Sequence, residues 1–490
     1  MPAFILTIDQ GTTNTKALLV DRTGRPVFRA SHPVPLLTSE AGHIEQELEA
    51  IWNSVVEVIR QCLSYVKSGS IEGIAITNQR ETAAAWNRRT GLPLGHAISW
   101  QCRRSASICN ALAQSADMIQ LLTGLPLDPL VSASKWSWLL RHKADCQINA
   151  AADELCFGTI DSWLIYRLTS GAIHTTDHTN ASRTALLNLE SLEWDSRLLD
   201  LFNIPLAALP SLVSSSGVIG DVTSISELSG TPIVAIIGDS HAALAGHGSF
   251  SAGTVKATYG TGSSLMTLIP SLAARSSQLA CTIAWSINGV PQHALEGNIT
   301  MTGSAIQWVG EFLSLADPVA DTIALATSVP SAQGVCFVPA MAGLGAPYWD
   351  TFARGTITGL NRSSTRAHLA RAALDAVAFQ VADVFGAMQI ASQVRMPGLF
   401  ADGGATRNGD LVQLQADVLG LPVHRSCCED LSALGAAWLG GLALGWWPSL
   451  SSLETLRQPI STFQPQTFDS SRYDQWKIAI ARTRLQESRA

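Results

Sequence analysis

Three short segments of the chain carry the residue types that hold phosphate groups: residues 9–16 (DQGTTNTK), 259–262 (YGTG) and 402–404 (DGG). Their glycines expose backbone N–H groups, and their small side chains offer hydroxyls. The third segment opens a predicted helix, whose N-terminus attracts anions. Each segment alone is typical of an ordinary turn. Three of them at the ends of predicted strands favour a nucleotide-binding protein.

This predicted nucleotide site belongs to neither of two common classes. No Gly-Lys dipeptide occurs in the chain, and no GxGxxG follows the first predicted strand. A P-loop and a dinucleotide-binding Rossmann turn need those glycine patterns. We therefore expect a different way of holding the phosphates.

Two carboxylates stand at the ends of apolar strands. Asp9 ends the first strand, and Asp239 follows the apolar residues 232–238. Phosphoryl transfer needs one carboxylate at a magnesium ion and one that takes the proton of the acceptor hydroxyl. Asp9 and Asp239 fit these roles if their strands face one cleft. Asp239 also has the sequence context of a helix N-cap, and both roles can hold together.

Arg80 and Glu81 are an adjacent cation and anion at the end of the predicted strand 71–77. Such a pair can donate and accept hydrogen bonds to a polyol, although surface salt bridges are the more common use of these residues. His174 and His178 have the i, i+4 spacing of helical metal ligands. Because they follow a Ser-Gly turn without an HExxH pattern, we predict a solvated loop or hairpin there.

Helical and strand patterns recur in both halves of the chain. Apolar residues repeat at helical spacing over 45–66 and again over 366–389. In both halves, strands run into polar turns that contain glycine. The pattern predicts an α/β protein with two related domains, residues 1–247 and 248–490, and a cleft between them.

The composition excludes several classes of protein. The 490 residues are 47% hydrophobic and 14% charged, with a net charge of −7 and no long basic run, so we expect no nucleic-acid or membrane partner. Nine cysteines without a CxxC pair indicate reduced thiols. The most apolar stretch, residues 431–447, is shorter than the ~20 residues of a membrane span and predicts a buried helix. We expect a cytoplasmic protein.

A family resemblance rests on many motifs in order along the chain. They include DQGTT (9–13), ITNQRET (76–82), WQCRR (100–104), TGLPLDP (123–129), TDHTNASRT (176–184), YGTG (259–262), GLGAPYWD (343–350) and DGGA (402–405). With these motifs the chain resembles the FGGY carbohydrate kinases over nearly its whole length. ITNQRET and WQCRR are typical of the glycerol kinase branch of that family.

The resemblance implies two ribonuclease-H/actin-like domains around a central cleft. It also implies an enzyme that uses ATP and Mg²⁺ to phosphorylate a terminal hydroxyl of glycerol or a related small polyol or sugar. Asp239 corresponds to the catalytic base, and Asp9 and Asp239 to the carboxylates at the metal. Members of the family often form dimers or tetramers, so we expect a homo-oligomer.

The resemblance assigns the other site residues to two groups. At nucleotide positions stand Thr12, Thr13, Asn14, Lys16, Thr261, Gly303, Gln307, Gly404 and Asn408. At substrate positions stand Arg80, Glu81, Trp100, Leu130, Asp239, Ser240 and Ser264. Lys16 replaces an arginine of the family, which keeps the charge but loses the bidentate fork.

Three substrate positions depart from the glycerol kinase branch. Leu130 stands in place of a tyrosine, Ser240 in place of a glutamine and Ser264 in place of an aromatic residue. The changes remove volume and a hydroxyl partner, so we expect a wider pocket for a longer polyol or ketose such as erythritol, ribitol, xylulose or ribulose. If neighbouring side chains refill the space, glycerol stays the substrate.

Two other functions would use similar residues. One is a non-catalytic homologue that binds nucleotide and sugar, and the intact Asp9 and Asp239 argue against it. The other is an ATPase of the actin or Hsp70 kind, and the presence of Arg80 and Glu81 argues against that. ATP turnover that a polyol stimulates would separate all three.

Overall fold

The computed structural model describes residues 2–66 and 69–484. The ends of the two predicted domains, residue 1 and residues 485–490, lie outside that range. The strands are Ala3–Gln10 (β1), Asn14–Asp21 (β2), Pro26–Pro33 (β3), Leu37–Thr38 (β4), Ile44–Gln46 (β5), Ser70–Asn78 (β6), Ala84–Asn87 (β7), Ala97–Ile98 (β8), Leu155–Gly158 (β9), Thr175–Asp177 (β10), Ser211–Val213 (β11), Ser216–Asp221 (β12), Pro232–Gly238 (β13), Val255–Tyr259 (β14), Ser263–Leu268 (β15), Ala280–Ile287 (β16), Val290–Ile299 (β17), Cys336–Val338 (β18), Thr356–Thr358 (β19), Leu399–Asp402 (β20), Val423–Ser426 (β21) and Ile460–Phe463 (β22). The α-helices are Leu48–Tyr65 (α1), Ala106–Ala111 (α2), Ala116–Thr123 (α3), Ser132–His142 (α4), Ala144–Ala151 (α5), Ile160–Leu168 (α6), His178–Ala181 (α7), Ser196–Phe202 (α8), Asp239–Gly246 (α9), Gly303–Phe312 (α10), Pro318–Thr327 (α11), Arg366–Ser392 (α12), Gly409–Leu419 (α13), Leu431–Ala443 (α14), Leu450–Leu453 (α15) and Ser471–Arg484 (α16).

Two compact units make up the chain, and each is assembled from three segments. The first unit consists of Met1–Phe250, Cys281–Ala294 and Asp430–Arg457. The second consists of Ser251–Ala280, Leu295–Glu429 and Gln458–Ala490. Both units mix helices with strands, so the predicted α/β class is confirmed.

The first unit is built on a sheet in the order β16-β12-β13-β6-β1-β2-β3. Within it β1, β6 and β13 are parallel neighbours, and Asn78 of β6 lies opposite both Gln10 of β1 and Gly238 of β13. Helix α1 buries the apolar face that its sequence predicts, including Ile51 and Val55, against this sheet. Because the three parallel strands end level with one another, the residues that follow them meet at one edge of the sheet.

Strands of the second unit follow the order β22-β21-β20-β14-β15-β17. Strands β14 and β20 are parallel, with Thr258 opposite Asp402, while β14 and β15 form a hairpin whose turn is the YGTG segment 259–262. The turns after β14 and β20 therefore lie side by side. Helix α12 is long and apolar enough to cross a membrane, but 78% of its apolar window is buried inside the molecule, as in a core helix.

Candidate active site

Arg80 and Asp239 meet at the edge where the parallel strands of the first unit end. Arg80 Nε lies 3.2 Å from Asp239 Oδ1, and the carboxylate side chain is 39% exposed. The N-cap of α9 is Gly238, and Asp239 is the first residue of the helix rather than its cap. The helix N-terminus and the guanidinium both stabilise negative charge on Asp239 while it stays open to solvent.

Helix α9 is held in place by close packing on α14. A Cβ atom added at Gly435 of α14 would come within 1.9 Å of the Ala242 carbonyl oxygen in α9, and one at Gly246 within 2.1 Å of the Leu431 carbonyl oxygen. Only glycine allows the two backbones to approach this closely. The apolar segment 431–447 thus forms the predicted buried helix over Leu431–Ala443, and this helix fixes the start of α9.

Asp9 lies near the end of β1 among other charged groups. Loss of hydration raises the pKa of Asp9 to about 7, with Asp239 and Asp430 adding to the increase and Lys16 opposing it. Lys16 Nζ lies 3.1 Å from Asp430 Oδ1, and Arg29 Nε lies 3.1 Å from Asp430 Oδ2. Asp430 was not identified by the sequence analysis, because 414 residues separate it from Lys16.

A magnesium ion suits this pair of carboxylates. Between residues 2 and 484, leaving aside 67–68, no group of three or more His, Cys, Asp or Glu side chains is arranged to hold a metal ion. Mg²⁺ keeps several waters and binds through one or two carboxylates and the phosphates of a nucleotide. Asp9 and Asp239 match that requirement, so the residues present fit the ion.

The first phosphate segment forms a tight turn between β1 and β2. Gly11 N donates to Asn14 O at 2.9 Å, which leaves Thr13 and Asn14 exposed at the tip. Thr12 Oγ1 accepts a hydrogen bond of 2.9 Å from the indole of Trp100, which is 37% exposed. The structure therefore brings Trp100, predicted at a substrate position, onto the turn that carries the predicted nucleotide residues.

Three buried glutamines, which the sequence analysis missed, join this turn to the end of β6. Gln79 Nε2 donates to Gln10 Oε1 and to Gln46 Oε1, both at 2.9 Å. Gln46 Nε2 donates in turn to Thr12 O at 2.8 Å. A buried amide network in which the members satisfy one another holds its parts rigidly. No spacing rule identifies such a trio.

Glu81 is not a surface salt-bridge residue. It is only 4% exposed, and its Oε1 accepts a hydrogen bond of 2.6 Å from Arg183 Nε, itself buried. Arg80 is oriented towards Asp239, so the adjacent cation and anion have different partners. Arg183 was missed as a functional residue, although its position inside the motif TDHTNASRT was a signal that could have identified it.

The three positions that depart from the glycerol kinase branch lie in different surroundings. Leu130 is half-buried in the turn before α4, and Ser240 is buried next to Asp239, whose Oδ1 accepts from Ser240 N at 2.6 Å. Ser264 lies on β15 of the second unit, where its hydroxyl donates to Glu296 Oε1 at 3.0 Å. Because this bond uses the hydroxyl hydrogen of Ser264, the difference from an aromatic residue at this position is its smaller volume rather than an additional hydrogen-bond donor.

In the second unit, three of the predicted nucleotide residues line one cavity of about 320 Å³. These are Gly303, Gly404 and Asn408, with apolar neighbours that include Ile306 and Val319. Asn408 Oδ1 caps α13, while its Nδ2 is buried with no hydrogen-bond partner in the part of the chain that the structure describes. A cavity with glycine walls, apolar sides and an unsatisfied amide donor fits a nucleotide.

The other two nucleotide positions flank this cavity without lining it. Thr261 O accepts from Thr302 N and Ser304 N, so the YGTG turn anchors the start of α10. Gln307 is exposed and donates to Glu311 Oε1. The DGG segment leads into a short 3₁₀ turn rather than directly into the α-helix predicted there, because Gly403 has φ +95° and α13 begins only after Asn408.

His174 and His178 lie in a well-packed region, so the predicted solvated loop is wrong. They flank β10, and His178 is 7% exposed. His178 Nδ1 lies 2.7 Å from Ser286 Oγ, and His174 Nε2 lies 2.8 Å from Phe157 O. Loss of hydration lowers the pKa of His174 to about 4. The neutral rings serve as buried hydrogen-bonding groups.

Comparison with known proteins identifies the class of enzyme. The N-terminal domain of the FGGY family of carbohydrate kinases matches residues 4–246, and its C-terminal domain matches residues 255–444. The chain belongs to the FGGY family of carbohydrate kinases, with the two-domain actin-like fold and the activity of an ATP-dependent sugar or polyol kinase.

Relatives differ in the acceptor that their names give. An apulose kinase of Pectobacterium atrosepticum is 45% identical over 98% of this chain and 98% of its own length. A glycerol kinase of Thermotoga maritima is 41% identical, again over 98% of both chains. The crystal structure of Plasmodium falciparum glycerol kinase with ADP superposes with a TM-score of 0.92 at 31% identity over 99% of both chains.

Proposed function

We propose that this kinase transfers the γ-phosphoryl group of ATP to a terminal hydroxyl of a small open-chain polyol or keto sugar longer than glycerol. The observation that carries the proposal is the contact of Arg80 with Asp239 at the edge where β1, β6 and β13 end, with Glu81 next to it. One cation, one buried carboxylate and one exposed carboxylate at a single edge can hold a polyol and remove a proton from it.

In the proposed reaction the acceptor oxygen attacks the γ-phosphorus, its proton passes to Asp239, and the bond from phosphorus to the ADP oxygen breaks. Arg80 holds Asp239 ionised and in position, since their side chains are 3.2 Å apart. Mg²⁺ held by Asp9 and Asp239 would neutralise charge on the transferred group. Thr12, Thr13, Asn14 and Lys16 are proposed for the phosphates, and Gly303, Gly404 and Asn408 for the remainder of the nucleotide, with Thr261 and Gln307 at the margin of that site.

Residues of the acceptor pocket favour a longer substrate. Leu130 offers no hydroxyl, and Ser240 is small. The most identical of the relatives described above is named for apulose rather than for glycerol. Glycerol is the second candidate, because glycerol kinases at 41–43% identity cover this chain equally well.

The test is an ADP-release assay with Mg·ATP across glycerol, erythritol, ribitol, xylulose, ribulose and apulose. We expect a longer substrate to exceed glycerol in kcat/KM by about tenfold or more, which is the usual worth of a few well-filled contacts in a small pocket. A kcat/KM for glycerol that is tenfold higher than for any longer acceptor would mean that neighbouring side chains fill the space at Leu130 and Ser240. ADP release that no acceptor stimulates would favour a non-catalytic or ATPase function instead.

The Leu130→Tyr variant sharpens this assay. A tyrosine returns volume and a hydroxyl to the pocket, so the preference should move towards glycerol by about fivefold or more. Leu206→Tyr is the matched control, because Leu206 is an exposed leucine of the same unit at 59% exposure. Equal effects of the two changes would remove Leu130 from the acceptor pocket.

We also propose that the protein is a cytoplasmic homo-oligomer, and sedimentation would measure the size of the oligomer.

A further inference from the structure

Glu81 sits in a backbone conformation that an L-residue rarely adopts. Its φ is +61°, and Thr82 N donates to Arg80 O at 2.8 Å, so Glu81 is the centre of a closed three-residue turn. Turns of this kind with a positive φ are rare and strained. Such a conformation persists only when surrounding contacts fix it. The contacts of Glu81 therefore show what fixes the backbone at this proposed acceptor residue.

Two buried side chains from the start of α4 hold the Glu81 carbonyl. Ser132 Oγ donates to Glu81 O at 3.2 Å, and Lys135 Nζ donates to the same oxygen at 3.4 Å. Both side chains belong to fully buried residues. The Glu81 carboxylate is held separately, by Arg183 at 2.6 Å. Main chain and side chain of Glu81 are thus fixed from different elements.

The Lys135 side chain also contacts the backbone at Leu130, the other residue proposed for the acceptor pocket. Its Nζ donates to Leu130 O and, at 3.5 Å, to Val131 O. A buried ammonium is costly unless hydrogen bonds replace its water, and here carbonyl oxygens from two separate segments do so. Loss of hydration lowers the pKa of Lys135 to about 8, so it carries its charge at neutral pH. One charge therefore ties the turn at Glu81 to the turn at Leu130.

We propose that Lys135 is a positioning residue that sets the distance between Glu81 and Leu130 and so determines how the acceptor is bound. The inference rests on the proposed function, in which Glu81 and Leu130 belong to the acceptor pocket. Lys135 is fully buried, so in this proposal it acts through Glu81 and Leu130 and not by contact with the acceptor. Removing its ammonium takes away one of the two donors to the Glu81 carbonyl and the link to Leu130, so Glu81 and Leu130 move apart while Asp239 and the cavity of the second unit keep their own contacts.

The test is Lys135→Met, which keeps the length of the side chain and removes its three donors. We expect the KM of the acceptor to rise about tenfold or more, with kcat changed less than about threefold and the KM of ATP unchanged, because a lost buried hydrogen-bond donor to an acceptor-site carbonyl acts on binding. A variant that merely lost stability would show a lower kcat whichever of the two substrates is varied, because a smaller fraction of the protein is folded.

Ser132→Ala keeps the inference testable if the methionine variant does not fold. It removes the second donor to the Glu81 carbonyl, and we expect a rise of about threefold in acceptor KM. Ser134→Ala is the matched control, since Ser134 is equally buried in α4 but bonds to Ser105 and Val131. Acceptor KM values for Ser132→Ala and Lys135→Met no higher than for Ser134→Ala would overturn the inference.

Glu81→Gln separates this inference from the function beneath it. If Glu81→Gln raises the acceptor KM while the α4 variants do not, the proposed function stands and the role of Lys135 is refuted. If Glu81→Gln itself leaves the acceptor KM unchanged, Glu81 is not an acceptor ligand, and both proposals fail at that residue.

Discussion

Two proposed sites are built from different kinds of residue: the edge of the first unit where β1, β6 and β13 end, proposed for the acceptor, and the cavity of the second unit, proposed for the nucleotide. The edge uses buried charged and polar side chains, with Glu81 on Arg183 and Lys135 on backbone carbonyls. The cavity uses glycines and the starts of helices, as at Gly303 and Asn408. Side chains can be exchanged to suit one acceptor or another, whereas backbone that cradles a nucleotide serves every member of a kinase family equally.

This difference predicts different sensitivities. Loss of a charge or a change of pH should affect the first unit most, because its buried groups depend on ionised or hydrogen-bonded partners. Added bulk at the cavity of the second unit should affect ATP rather than the acceptor, because a Cβ at Gly303 would come within 2.6 Å of the Gly260 carbonyl oxygen. The predictions below test this contrast.

The largest effect is expected for Asp239→Asn. The amide cannot take the acceptor proton, so kcat should fall by about three decades or more, while ATP binding, measured by calorimetry, stays near that of the unchanged protein. Asp221→Asn is the control, because Asp221 is an exposed carboxylate of the same sheet. Near-normal turnover of Asp239→Asn would remove Asp239 from the mechanism.

A pH effect on stability is expected from His174 in the first unit. Its pKa is lowered from 6.5 to about 4, so below pH 6.5 the unfolded chain binds a proton that the folded protein does not. The stability it contributes is complete above pH 6.5 and is lost as the pH falls through 4, by about 3 kcal/mol in total.

His174→Gln should reduce this acid sensitivity, because glutamine can donate to Phe157 O without titrating. The measurement is the free energy of unfolding in urea between pH 4 and pH 7. His142→Gln, at an exposed position, should leave the pH dependence unchanged. Identical slopes for all three proteins would mean that His174 is hydrated in the folded state.

The third prediction concerns bulk in the second unit. Gly303→Ala should raise the KM of ATP about tenfold, since the methyl group must push the start of α10 away from the YGTG turn. The acceptor KM should stay within about twofold. Gly386→Ala in α12 is the control, because an added Cβ there has no atom within 4 Å. A larger change in acceptor KM than in ATP KM would contradict the contrast between the two sites.

Local features of the fold were predictable from the sequence, while distant partners were not. Strand β13 has the bounds that its apolar run indicates, and YGTG forms a turn, between β14 and β15, as its residue types indicate. Helix α12 runs three residues beyond the predicted end at residue 389, to Ser392. Each of these depends on neighbouring residues, whose pattern is visible in one stretch of chain.

Partners that lie far apart in the chain could not be read in this way. Arg183 and Glu81 are 102 residues apart, and a buried charge looks like a surface charge until its partner is known. The same holds for His174 and His178, whose polar surroundings in the sequence suggested solvent. Residues 281–294 and 430–457 join the first unit through contacts with distant residues, such as Ser286 with His178 and Asp430 with Lys16, and no linker composition marks them.

The smallest effect is expected for Ser264→Ala. The hydroxyl of Ser264 already donates to Glu296 Oε1, so its loss should change the preference between glycerol and a longer acceptor by less than about twofold. Ser263→Ala is the matched comparison on the same strand, because Ser263 Oγ donates to Thr302 Oγ1, at the residue before α10.

The two serines thus test, with the smallest change of side chain, whether effects on ATP and effects on the acceptor are separate. Ser263→Ala should act, weakly, on the KM of ATP, because it loosens the start of the helix that lines the nucleotide cavity. Ser264→Ala should leave that constant unchanged. A shift of acceptor preference above about fivefold in Ser264→Ala would mean that the hydroxyl leaves Glu296 to bind substrate. The second unit would then select the acceptor through a side chain, as we propose for the first unit.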